Sequence, residues 1–216
     1  MESNKSTGVI ESSPRRVWVM RWGHRPSRDA RLTTHVALVA RALGASGIFV
    51  TDIVDRGLEH VVNETVENWG GSFKIETGVP WKKVVESWKG SGGITVHLTM
   101  YGENIAEGDV LKRIKDTGKD VLLIVGCQKV PPDFFSKEVS DFNVAIGNQP
   151  HSECAAVAIF LDRFFEGRPL RSVQQGGRIK IIPQRRGKRV ARRNVENRSV
   201  GDRSSQASKP MNWTTI

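Results

Sequence analysis

The stretch Val144-Ala145-Ile146-Gly147-Asn148-Gln149-Pro150-His151-Ser152-Glu153, followed by the apolar run Cys154 to Phe165, decides the fold. Val144 to Ile146 reads as a buried strand, and Gly147 permits a sharp exit from it. Polar groups then crowd where the first amides of a helix point outward without partners. Strand, glycine turn and helix mouth together form a repeating unit of α/β proteins and a common binding geometry. The same residues also serve an ordinary capped helix, so the segment alone leaves both readings open.

Working outward, short β-rich or apolar runs recur at Val17 to Met20, Gly47 to Val50, Phe73 to Glu76, Ile94 to Leu98, Val121 to Val125 and Phe142 to Ile146. Helical patterns separate them at Thr33 to Leu43, Leu58 to Trp69, Pro80 to Lys89, Asn104 to Lys115 and Ser152 to Glu166. Strands alternating with helices predict an α/β fold, a parallel sheet with helices on both faces. A last strand is expected at Arg178 to Ile182, and the polar, arginine-rich composition after Pro183 argues against further core.

The chain has 216 residues, 38% of them hydrophobic, enough for one substantial core and an appendage. No run of eighteen apolar residues occurs, and Met1 to Pro14 lacks the apolar centre of a signal peptide, so a cytoplasmic protein without a membrane segment is expected. Cys127 and Cys154 sit beside apolar residues and read as small buried thiols. No metal-ligand spacing occurs among the five histidines, so no metal is expected. From Arg178 onward, eleven Lys or Arg face only Glu196 and Asp202, a net +9 out of the whole chain's +10. That tail suits either salt-sensitive polyanion binding or plain solvation.

In a parallel sheet the ligand lies beyond the carboxyl ends of the strands. Three segments there combine glycine, amides or hydroxyls, and apolar walls: Leu98-Thr99-Met100-Tyr101-Gly102, Gly126-Cys127-Gln128-Lys129-Val130-Pro131, and Gly147 to Ser152. Such walls fit a flat ring, and the combination suits a nucleoside-containing cofactor. Neither a Walker loop nor a Gly-x-Gly-x-x-Gly turn follows the first strand, which counts against a nucleotide-dependent metabolic enzyme. Before the first helix, Arg21-Trp22-Gly23-His24-Arg25-Pro26-Ser27-Arg28-Asp29-Ala30-Arg31 carries four arginines against one acid. Planar guanidinium forks match phosphate, so this stretch suits a nucleic-acid backbone, or else forms a solvated charged loop.

Arg21 to Leu43, His97 to Gly102, Val125 to Pro131 and Val144 to Arg163 together resemble the archaeal tRNA (cytidine-56) 2'-O-methyltransferases of the SPOUT superfamily, in collinear order over roughly residues 16 to 183. The resemblance implies a carboxyl-terminal trefoil knot, a homodimer, and S-adenosyl-L-methionine as cofactor for methylating a ribose in the TΨC loop of tRNA. With the composition, this divides the chain into an expected flexible segment 1–14, a methyltransferase domain over 15–183 and, outside the family's pattern, a basic tail over 184–216. Carried over by motif, the cofactor residues are Leu98, Gly126, Cys127, Gln128, Lys129, Val130, Ile146, Gly147, Asn148, Gln149, Pro150, His151, Ser152 and Glu153. Arg21, Arg25 or Arg28, with Asn148 and Ser152, form the implied catalytic set, and the arginine is expected from the dimer partner.

One departure from that pattern is visible. Where the family reads Gly-Ala-Glu-Lys-Val, this chain has Gly126-Cys127-Gln128-Lys129-Val130, an amide in place of a carboxylate. If the carboxylate's role is an ion pair, the site is weakened; if it is a hydrogen bond, little changes. A tRNA-binding protein of the same fold with weak or no activity is therefore the alternative.

Overall fold

The computed structural model describes residues 15–193 and the backbone of 213–215. The amino-terminal segment 1–14 and the greater part of the tail beyond Arg193 lie outside the described residues. Six strands form one parallel sheet: β1 (Val17–Trp22), β2 (Gly47–Val50), β3 (Lys74–Thr77), β4 (Ile94–Asn104), β5 (Val121–Gly126) and β6 (Phe142–Ala145). Their order across the sheet is β3-β2-β1-β5-β4-β6. The chain builds outward from β1 to one edge, then returns to build the other half. Between these halves β1 and β5 run in register, Arg21 opposite Val125 and Trp22 opposite Gly126. That register sets the arginine-rich turn beside the Gly126 to Pro131 segment.

Alternation within the strands sorts residues to two faces. Val17 and Val19 of β1, with Val121, Leu123 and Val125 of β5, face the larger core. Over it lie α1 (Pro26–Ala42), α2 (Arg56–Trp69), α4 (Val110–Asp116) and α5 (Glu153–Phe165). Met20, Leu122 and Ile124 face the other way, toward α3 (Trp81–Gly90) and a 3-10 turn at Pro132–Phe135. Leu122, Leu123 and Ile124 are wholly buried, each contributing about 1.5–3 kcal/mol of transfer energy. Helix α1 meets the sheet along Thr33, Val36, Ala37 and Ala40, a stripe at i, i+3, i+4 and i+7.

Three boundaries differ from the sequence reading. Helix α1 starts at Pro26, seven residues before Thr33, because proline with its preset φ occupies the first turn and the Asp29 carboxylate accepts the Arg25 amide at 3.2 Å. Half of the presumed arginine loop is thus helix. Strand β4 does not stop at Leu98: Val144 of β6 pairs with Leu98 and again with Glu103, so Thr99 to Gly102 loop out before the strand resumes. The resumed strand displaces the helix expected from Asn104, which begins only at Val110. After Pro183, β8 (Val190–Arg193) pairs antiparallel with β7 (Ile179–Ile181) and buries Ala191, and β9 (Trp213–Thr215) pairs with β8. Ala191 is the one buried residue after Pro183 among the described residues, so the small sheet adds strand pairing rather than a further core.

Candidate active site

A cavity of about 660 Å³ opens at the carboxyl ends of β4, β5 and β6, against the amino terminus of α5. Two local devices shape it. Asn148 donates Nδ2 to Met100 O at 2.9 Å and Gly102 O at 3.2 Å, and its Oδ1 accepts from Asn104 Nδ2 at 3.2 Å, latching the looped-out segment of β4. Gly102 permits that close approach, since a Cβ there would lie 2.5 Å from the backbone of Asn143 and Val144. At the other wall, Gly147 leaves β6 at φ +69° and the chain turns into α5. Ser152 caps that helix, its Oγ accepting from Cys154 N at 3.2 Å, and His151 Nε2 bonds Ile146 O at 2.7 Å.

Of the expected cofactor residues, Leu98, Gly126, Gln128, Lys129, Val130, Ile146 and Gln149 to Glu153 line this cavity. Cys127, Gly147 and Asn148 do not; they build it from behind. Cys127 turns its Sγ toward the carbonyls of Trp22 and Gly23. Burial raises the pKa of both cysteine thiols, which disfavours the thiolate and any nucleophilic role. Residues outside the expected set also line it: His97, Thr99, Met100, Tyr101, Val125, Phe135 and Ala156. Burial holds the His97 imidazole below the usual histidine range, and its Nδ1 lies 3.0 Å from Asn143 Oδ1.

The three arginines separate sharply, and none lines the cavity. Arg21 shares a strand face with Val17 and Val19 and is wholly buried under α1 and α5. Its Nε donates to Thr33 Oγ1 at 2.9 Å, its Nη1 meets Glu153 Oε1 at 3.4 Å, and its Nη2 has no partner among the described residues. The Thr33 hydroxyl lies 2.8 Å from His24 Nδ1, and His24 Nε2 lies 3.0 Å from Asp55 Oδ2. The four side chains thus form one continuous series from Arg21 through Thr33 and His24 to Asp55. The His24 hydrogen bond, with that from the Leu58 amide, holds Asp55 below the usual carboxylate range. Arg25 is clamped by Asp29, Nε to Oδ2 at 2.6 Å and Nη2 to Oδ1 at 3.0 Å. Arg28 stands exposed on α1 and pairs with no carboxylate among the described residues. Thr33 and Asp55 escaped the sequence reading; two-residue spacing from Val17 and Val19 to Arg21 was the available signal.

The family model described as tRNA ribose 2'-O-methyltransferase, aTrm56, matches residues 69–191. A protein of Thermofilum pendens named tRNA (cytidine(56)-2'-O)-methyltransferase is 55% identical over 182 residues, covering 84% of this chain and 99% of that relative. The chain belongs to this methyltransferase family. Its fold is that of the SPOUT methyltransferases. A crystal structure of an RNA 2'-O ribose methyltransferase superposes with a TM-score of 0.52 at 18% identity, covering 77% of this chain and 62% of that one. The SpoU methyltransferase AviRb from Streptomyces viridochromogenes, crystallised with AdoMet, gives 0.50 at 18% identity over 71% and 58%. Among the described residues no helix is long and apolar enough to cross a membrane, and no group of three His, Cys, Asp or Glu could hold a metal ion.

Proposed function

We propose that this chain transfers a methyl group from S-adenosyl-L-methionine to a ribose 2'-hydroxyl of tRNA, at cytidine 56 in the TΨC loop. The observation that carries the reading is the cavity itself, placed at the strand ends in a chain 55% identical to a protein named for that reaction. Its volume lies within the ~300–1,000 Å³ typical of cofactor sites. Leu98, Val130 and Ile146 offer apolar walls for the adenine, while Gln128, Gln149 and the capped start of α5 offer polar contacts. Glu153, 20% exposed and tied to Arg21, supplies a carboxylate for a cationic ligand. The cofactor, when bound, supplies the electrophilic methyl group on its sulfonium.

The protein's own task is to align the ribose and ease the loss of its hydroxyl proton. Arg28 is the free guanidinium suited to the developing alkoxide and the adjoining phosphate, and Arg25 is pre-set by Asp29. Since no arginine of this segment lines its own chain's cavity, a homodimer in which a partner's α1 serves each site fits the geometry. We assign the domain to residues 15–183, with the carboxyl-terminal part carrying the trefoil knot, and place the protein in the cytoplasm with its tRNA. The exposed Arg185, Arg186, Lys188 and Arg189 between β7 and β8, with the rest of the tail, would add an electrostatic grip on RNA.

Mapping ribose methylation by mass spectrometry on a tRNA transcript treated with protein and cofactor tests the assignment. One methylated ribose, in the TΨC loop, is expected; a signal elsewhere overturns it. The neutral Gln128 favours a second reading, an inactive tRNA-binding relative, for which calorimetry would find no saturable S-adenosylmethionine binding.

A further inference from the structure

Three large apolar side chains stand exposed at the lip of the cavity: Tyr101 at 75%, Phe135 at 40% and Met100 at 38%. The fold fastens two of them in place rather than folding them in. The carbonyls on either side of Tyr101, those of Met100 and Gly102, both accept from Asn148 Nδ2. The Phe135 carbonyl accepts from Asn143 Nδ2 at 3.1 Å, and the Phe135 ring rests against the buried His97 imidazole with centroids 5.1 Å apart. Tyr101 and Phe135 then meet edge to face, 6.3 Å apart at 61°, an arrangement that keeps a ring face open. An exposed aromatic pair on a fixed backbone at the lip of a cavity marks a contact surface for a flat partner.

We propose that Tyr101 and Phe135 form a shelf on which the target nucleobase stacks while its ribose turns into the cavity mouth. The proposal rests on the ribose-methylation reading above. In-line transfer brings the 2'-oxygen to about 3–3.5 Å from the methyl group, so the base, attached to the neighbouring sugar carbon, lies beside the cavity lip. Stacking on an aromatic ring accepts any base by its π-face, so the shelf orients the nucleoside and leaves the choice of site to the tRNA's shape. Tyr101 and Phe135 are thus substrate-positioning residues, separate from those that hold the cofactor.

The test uses the full chain with tRNA and S-adenosylmethionine. Tyr101→Ala lowers kcat/KM for tRNA about 10- to 100-fold, with Tyr101→Phe near wild type. Cofactor affinity by calorimetry and sedimentation of the free protein stay unchanged in both variants. In tRNA carrying pyrrolocytidine at the methylated position, wild type quenches the fluorescence and Tyr101→Ala does not. Equal methylation by Tyr101→Ala and wild type overturns the shelf alone. Lost cofactor binding would assign Tyr101 to the adenine instead, and altered sedimentation would assign it to a second copy of the chain; either overturns the proposal. A wild-type protein that binds tRNA and cofactor but methylates nothing fails the parent reading, and the shelf with it.

Discussion

The cavity and the corner where β1 meets α1 lie side by side at the same end of the sheet, yet they are built on opposite physical plans. The cavity has apolar walls and backbone turns, and its specific polar groups come from segments contiguous in sequence. The corner buries charge: a wholly enclosed guanidinium, a threonine, a histidine and a carboxylate in series, from residues as far apart as Arg21 and Glu153. A cavity of the first kind tolerates change until a wall closes it. A buried polar series depends on every member, because removing one leaves its neighbour unsatisfied in a low dielectric. Function and stability should therefore be separable between the two regions.

The largest expected effect tests that separation outside both. Arg28 is exposed and unpaired among the described residues, so Arg28→Ala should leave unfolding free energy within about 0.5 kcal/mol of wild type. Turnover on tRNA should fall about 100-fold, the usual cost of deleting a donor aimed at developing negative charge. Steady-state methyl transfer and urea unfolding measure the two halves. Unchanged turnover in each of the single Ala variants at Arg21, Arg25 and Arg28 would sink the arginine mechanism.

Arg21→Met should show the reverse pattern. It strands Glu153 and breaks the link through Thr33 to His24, and breaking a largely buried pair costs about 3–5 kcal/mol. Relief of the unpartnered Nη2 offsets about 1–3 kcal/mol of this. A net loss of about 2 kcal/mol is expected, read from the urea midpoint. A loss under about 0.5 kcal/mol would mean the corner carries no more than a surface ion pair.

A smaller effect belongs to the cavity floor. Burial lowers the His97 pKa in the folded protein, so below the ordinary histidine value of about 6.5 the unfolded chain takes up a proton that the folded one refuses. The neutral ring's contribution to stability is complete above that value and declines as the pH falls below it. Thermal unfolding between pH 7.5 and 5 should show a steeper decline for wild type than for His97→Asn. Parallel curves would remove His97 as the cause.

Much of the cavity was legible because strand alternation, glycine turns and helix caps are local signals. Val144 to Ser152 announces a strand, a turn and a cap within nine residues, and Ser152 does cap α5. The Leu98 to Gly102 segment was legible as wall but not as form: its departure from the sheet depends on Val144 pairing twice, 46 and 41 residues away in sequence. Asn148 enters the expected set through its motif alone, and its tie to the carbonyls of Met100 and Gly102 in β4, 48 and 46 residues away, has no local signal. The corner was least legible. Nothing near Arg21 foretells Asp55, and a run of arginines reads as solvated until the sheet decides which of them point inward.

The smallest expected effect bears on the one residue that departs from the family pattern. Gln128 is exposed at the cavity, with its Nε2 close over the β1–α1 turn, where a Cβ on Gly23 would lie 3.1 Å from it. A carboxylate there would look for a guanidinium, but Arg25 is already held by Asp29 and Arg21 by Thr33 and Glu153. An exposed charge without a dedicated partner contributes about 0–1 kcal/mol and is screened by salt. Gln128→Glu should therefore change S-adenosylmethionine affinity by less than about fivefold, with the difference shrinking as ionic strength rises. A tenfold or greater gain in turnover would show instead that the amide weakens the site, and would shift the balance toward the inactive relative. A neutral result places Gln128 with the tolerant walls of the cavity rather than with the buried series beside it.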